Sequence, residues 1–209
     1  MKIKLASLLA TAGLALTAFH AQAESLVDGS IEDGKSKALT CTACHGPEGN
    51  SANPLWPNIA GQNAPYTVAQ LKAFKEGKRM NPLMTSQALL LEDEDMADLA
   101  VYFESLPAAA QAVKNPDTVG RGEGLYRGGN LESGVAACLG CHGPTGDGNP
   151  AAKYPALRGQ HADYIAKQLR DYASGARTSD GNTKVMRDIA ARLREDEIDA
   201  VASYVQGLR

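Results

Sequence analysis

Aromatic side chains make up only 5% of the 209 residues, with one tryptophan and three phenylalanines. That is thin filling for protein cores unless something besides side chains occupies them. Cysteine is scarce too, and four cysteines exclude a disulfide-dense scaffold at this length. Beyond the N-terminus no apolar run reaches the ~18–20 residues that would span a bilayer. There is no excess of positive charge: the formal net charge is −3, which excludes a general nucleic-acid binder. No segment sustains the alternation of a strand, so the expected class is all-α. Hydrophobic residues at 44% and charged residues at 22% indicate a folded chain rather than a disordered one.

What is present begins with an export signal. Lys2 and Lys4 precede an apolar stretch from Leu5 to Phe19, and Ala21-Gln22-Ala23 forms a small-x-small cleavage site. Removal of residues 1–23 places the mature chain outside the cytoplasm, where free thiols tend to oxidise. Four cysteines in that setting call for disulfides, a metal or a covalent cofactor.

The mature chain reads as two copies of one unit. Cys41-Thr-Ala-Cys44-His45-Gly46-Pro47 recurs 97 residues later as Cys138-Leu-Gly-Cys141-His142-Gly143-Pro144. Trp56-Pro57 and Gly61-Gln62 recur at an offset of 98, and so does the stretch from Tyr66 to Arg79. The closing segments, Asp95 to Leu106 and Glu197 to Leu208, match at 102. The expected organisation is a first domain over 24–106, a linker over 107–116 rich in Ala and Pro, and a second domain over 117–209. Helices are expected from about Ser30 to Leu39, from about Pro65 to Glu76 and from the acidic run Glu92–Asp95 onward, with counterparts in the second copy. Pro65 suits a first helical turn, and the acids favour the positive end of a helix dipole. Leu99, Phe103 and Leu106 form one buried stripe; Val201, Val205 and Leu208 form its counterpart.

All four cysteines, and two of the three mature histidines, sit in the two repeated motifs. Cys-x-x-Cys-His is the signature of c-type haem attachment. Two thiols on one tight helical turn add to the haem vinyl groups, and the adjoining imidazole swings beneath the iron. A thioredoxin-like pair would need a β-containing fold. A structural zinc site would need more than the three ligands each turn supplies. Disulfides within the motifs would leave the repeated histidine unexplained.

The paired Cys-x-x-Cys-His-Gly-Pro turns, the two Pro-x-x-x-Gly-Gln loops and a methionine further along each copy resemble the dihaem cytochrome c4 family across essentially the whole mature chain. The resemblance implies two tandem class I cytochrome c domains with two covalently bound haem c groups, one on Cys41 and Cys44, the other on Cys138 and Cys141. His45 and His142 would be proximal ligands. It also implies a periplasmic carrier that takes electrons from a quinol-oxidising cytochrome complex and passes them towards a terminal oxidase, with a peripheral membrane association compatible with that role. No nucleic acid is implied.

In such a domain a methionine sulfur completes the iron. The second copy offers only Met186, and the C-terminal offset of 102 carries Met186 back onto Met84. Met80 is the runner-up; Met96 pairs with Ile198 and reads as core. His161 has Asn63 as its counterpart, so it reads as a surface histidine rather than a ligand. By the same resemblance, the carbonyls of Pro47 and Pro144 are expected to hold the free ring nitrogens of His45 and His142; Arg158 and Tyr154, by their position near the second Gly-Gln loop, are expected to reach a propionate. His/Met ligation fills both axial positions and raises the potential relative to His/His, which describes an electron carrier rather than an enzyme. The alternatives are a dihaem subunit of a larger oxidoreductase, such as a sulfide-oxidising flavocytochrome, and a stand-alone dihaem enzyme such as a peroxidase or thiosulfate dehydrogenase. Charge is uneven: residues 24–115 carry twelve acids against seven bases, and residues 116–209 carry twelve of each.

Overall fold

The computed structural model describes residues 26–209, so the export signal at 1–23 lies outside the described residues. Among the described residues there are ten α-helices, two short 3-10 turns, no strand and three isolated antiparallel bridges. In the first half α1 spans Ile31–Lys37, α2 Leu39–His45, α3 Ala64–Lys75, α4 Pro82–Ala88 and α5 Asp93–Ser105. The second half repeats the order with α6 Val119–Gly128, α7 Leu139–His142, α8 Ala162–Ala173, α9 Val185–Ala190 and α10 Glu195–Gln206.

Each half is closed by its first helix packing on its last, α1 on α5 and α6 on α10. The crossing is close because glycine sits at the contact. A Cβ at Gly34 would lie 2.1 Å from the Asp98 carbonyl oxygen, and one at Gly122 would lie 2.3 Å from that of Ala200. These two glycines are 88 residues apart, whereas the Cys-x-x-Cys-His motifs are 97 apart, so nine extra residues separate helix and motif in the second half. They form a small turn closed by the Asn130–Val135 bridge. The closing helices start alike. The Glu92 amide donates to the Asp95 carboxylate and the Arg194 amide to that of Glu197, both at 2.9 Å, which satisfies an amide the helix leaves free. The expected stripes are buried at Leu99 and Phe103 and at Val201, Val205 and Leu208, and Met96 and Ile198 are core residues.

The halves meet through paired contacts that obey the repeat. Gln62 bonds both the amide and the carbonyl of Ala156, and Gln160 bonds both the amide and the carbonyl of Asn58. The positions swap at an offset of 98, so the seam is a two-fold contact of the kind two identical subunits would make. Near the centre Arg79 and Arg177 form an antiparallel bridge, with 9% and 5% of their surface exposed. Neither forms an ion pair among the described residues. Their guanidinium groups instead donate to neutral acceptors: Arg79 to Gln70, Tyr164 and Gln168, and Arg177 to Gln168, Tyr66 and Gln70. Burial alone would raise the Tyr66 phenol, but the charges of Arg177 and Arg79 outweigh it and lower its pKa. The segment between the halves lies against both: the Pro107 carbonyl accepts from Asn50, Gln111 donates to the Gly159 carbonyl, and the Asn115 amide donates to Ser203.

The glycine contacts generate a paired prediction. Gly122→Ala forces α6 off α10 and should cost about 1–3 kcal/mol. Gly124→Ala, on the same helix but with nothing within 4 Å, should be neutral or stabilising by about 0.5–1 kcal/mol. Thermal or denaturant unfolding of the two variants checks it; equal effects would contradict the close-crossing account.

Candidate haem sites

The Cys-x-x-Cys-His motifs occupy α2 and α7, so Cys41, Cys44 and His45 share one short helix; Cys138 caps the other, which carries Cys141 and His142. All four sulfurs are unpaired thiols. Both imidazoles are buried, with 7% and 6% of their surface exposed. Each is oriented through Nδ1, which lies 2.8 Å from the Pro57 carbonyl oxygen for His45 and 3.0 Å from that of Pro155 for His142. Burial pushes both imidazoles below their usual pKa range, and the proline carbonyls only partly offset it. A neutral ring with Nδ1–H donated to a carbonyl presents Nε2 as a metal ligand.

The acceptors correct the expectation for Pro47 and Pro144. Those prolines lie two residues past each histidine, in the turn that continues the motif. Pro57 and Pro155 come twelve and thirteen residues later, where the chain has doubled back across the ring. The signal was present in the repeated Trp-Pro and Tyr-Pro pairs at 56–57 and 154–155, which no helix or turn pattern required. In the second half the attachment turn has a further tie. The Tyr126 hydroxyl on α6 donates to the Gly143 carbonyl at 2.6 Å, just past His142.

The methionines lie on helices that sequence reading missed. Asn81 caps α4 by accepting from the Met84 amide at 3.1 Å, and Pro82 opens the helix, so Met84 stands in its first turn, half-buried. The Asn-Pro pair was the available signal. Met186 stands in the first turn of α9, also half-buried. There Asp180 accepts from the Arg187 amide at 3.0 Å and pairs with its guanidinium at 2.8 Å. Met80 is 76% exposed. Helix α4 packs on α3 and α9 on α8; among the described residues neither packs extensively on the attachment helix of its half. Attachment turn and methionine helix thus stand apart in both halves. Leu55, two residues before the carbonyl that holds His45, and Leu83, beside Met84, are exposed apolar side chains. Two thiols, a fixed neutral imidazole, a thioether on a separate helix and uncovered leucines form a donor set and surface that fit a haem c.

His161 is not the surface residue expected. It caps α8, half-buried, and its Nε2 lies 2.8 Å from the Ser51 carbonyl oxygen of the other half. Its counterpart Asn63 likewise reaches across, donating to the carbonyls of Asp147 and Tyr154. Arg158 pairs with Asp147 at 3.0 Å, and the ring of Tyr154 lies 6.3 Å from that of His142.

Two helical units, each presenting a thiol pair and an oriented, buried imidazole, define a dihaem c-type cytochrome. The sequence matches the family described as cytochrome c over residues 31–107 and 127–209. It is 45% identical to cytochrome c4 of Pseudomonas aeruginosa over 98% of either chain. The structure superposes on reduced recombinant cytochrome c4 from Pseudomonas stutzeri with a TM-score of 0.84 and 43% identity, covering 87% of this chain and 100% of that one. It is also 37% identical to a thiosulfate dehydrogenase electron acceptor of Stutzerimonas stutzeri, over 80% of this chain and 78% of that one. The chain belongs to the cytochrome c family and, within it, to the dihaem cytochrome c4 family. It binds two haem c groups covalently and is an electron carrier rather than an enzyme.

The seam contact of His161 separates its role from ligation. His161→Ala should lower stability by about 1 kcal/mol, one hydrogen bond's worth, and leave the visible spectrum of both haems unchanged. A spectral change with unaltered stability would make it a haem residue instead.

Proposed function

We propose that Cys41 and Cys44 anchor one haem and Cys138 and Cys141 the other, with His45 and Met84 as axial ligands of the first iron and His142 and Met186 of the second. The observation that carries this assignment is the pair of buried imidazoles, each held through Nδ1 beside an unpaired Cys-x-x-Cys. When bound, each haem supplies a one-electron iron couple. The chain's residues do the rest. The thiols prevent loss of the group, the proline carbonyls fix the imidazole tautomer, and helices α4 and α9 bring up a sulfur that favours the reduced metal. Held by His45 and Met84, and by His142 and Met186, the two groups would supply electron transfer and would leave no open site for a small substrate.

The proposed setting is the periplasm, after cleavage near Ala23. The proposed organisation is a unit over 24–106 and a unit over 117–209, joined by 107–116. Among the described residues no helix is long and apolar enough to cross a membrane. The preferred acceptor is a terminal oxidase, with a quinol-oxidising cytochrome complex as donor. A second reading has support in the relative that is a thiosulfate dehydrogenase electron acceptor: electrons would then come from a sulfur-oxidising enzyme, and the same ligation would serve.

Mass spectrometry of the mature protein should show two haems added to the polypeptide. Met84→His and Met186→His should each lower the potential of one haem and leave the other nearly unchanged, because a second imidazole favours ferric iron. Met80→Leu should change neither. Loss of the methionine–iron absorption band in the Met80 variant, with Met84→His unaffected, would transfer the ligand role to Met80.

A further inference from the structure

The two proline carbonyls that orient the histidines belong to peptide groups at the seam. The Pro57–Asn58 peptide accepts from His45 through its C=O at 2.8 Å and donates its N–H to Gln160 Oε1 of the other half at 2.9 Å. The Pro155–Ala156 peptide accepts from His142 at 3.0 Å and donates to Gln62 Oε1 at 2.8 Å. The glutamine orientations are fixed by their partners. Each Nε2 donates to the next carbonyl, Gln160 to Asn58 and Gln62 to Ala156. Each Oε1 also receives the amide of the following residue, His161 or Asn63.

We infer that Gln62 and Gln160 are positioning residues for the iron of the opposite half, each setting the strength of the hydrogen bond that the other half's histidine makes. The inference rests on the reading of His45 and His142 as axial ligands. The physical chain is short. Donating a peptide N–H to an acceptor polarises the amide and puts more negative charge on its oxygen. That oxygen then takes more of the Nδ1 proton, and the ring becomes a stronger donor to the metal. A stronger donor stabilises ferric iron and lowers the potential. Removing a glutamine acceptor therefore raises the potential of the haem across the seam, not the haem of its own half. A residue that only glued the halves together would not produce that crossed pattern.

The test uses the full-length dihaem protein, titrated electrochemically with the two haems resolved by their methyl NMR signals. Gln160→Met should favour reduction of the His45 haem, and Gln62→Met that of the His142 haem, by about 1.2- to 1.7-fold in the reduction equilibrium constant, the ~10–30% of a hydrogen bond by which adjacent bonds strengthen one another. The Nδ1–H resonance of the same histidine should move upfield as its bond weakens. Gln62→Glu, which keeps an acceptor and makes it anionic, should move the His142 haem the opposite way; this half-exposed position also decides the matter if the Met variants do not fold. A shift in the haem of the same half, equal shifts in both haems, or no shift would overturn the inference. The ligand reading fails separately: His45→Ala or His142→Ala that leaves both low-spin spectra intact would refute it, whatever the glutamine variants do.

Discussion

The bond from each buried imidazole to a proline carbonyl is the constraint around which the rest of the molecule is arranged. A histidine on a short helix has many ring orientations, and a covalent haem tolerates few of them. Pro57 and Pro155 remove that freedom by presenting a carbonyl 2.8–3.0 Å from Nδ1. For the carbonyl to be there, the chain must leave the attachment helix, double back and return, which is the work of the loops before α3 and α8. The same peptide groups form the seam, so ring orientation and the docking of the halves come from one stretch of backbone.

The seam carries polar contacts in matched pairs. A hydrogen bond contributes about 1 kcal/mol net, but an unmet buried donor costs more than that. The exchange of Gln62 and Gln160, and of Asn63 and His161, leaves few such donors. Arg79 and Arg177 go furthest in this direction. Two cations are brought together away from water without a carboxylate, and each guanidinium finds glutamine and tyrosine oxygens on both sides of the seam. Because those acceptors come from both halves, separating the halves strips both arginines of part of their bonding. The contact is therefore specific in geometry, as expected of an interface between two units that each own a core.

The halves are not equivalent. The second has one contiguous core running from α6 through α8 to α10, and Tyr126 ties that core to its attachment turn. The first has two small clusters, around Leu99 and Phe103 and around Ala100 and Val101, with Ala38 where the second half has Tyr126. The first half also carries the excess of acid. Aromatic residues are equally few in the two halves, five in each, so the smaller side-chain clusters of the first half reflect where its residues pack rather than a greater shortage of rings.

Much was legible without coordinates. The repeated Cys-x-x-Cys-His motif announces its chemistry because thioether attachment needs that spacing on contiguous residues. The duplication and the helical class follow from offsets and from periodicity, which are local or self-similar properties of a string. Met84 could be nominated because Met186 has no rival in its copy, and offset arithmetic does the rest. The Pro47 and Pro144 expectation failed because the partner of a side chain is chosen by where the backbone returns, and the repeated Trp-Pro and Tyr-Pro pairs mark that place without saying which side chain it meets. His161 was misplaced for a related reason: it sits at a helix start, where exposure is the usual state, and only the second copy folding against the first covers it. The sequence alone therefore determined which atoms can bind a haem and how many times the unit occurs, since these depend on residue type and spacing. The tertiary structure alone decided which carbonyl the chain brings back to each imidazole, and which half's glutamine accepts the N–H of that same peptide group, a contact between residues about a hundred positions apart.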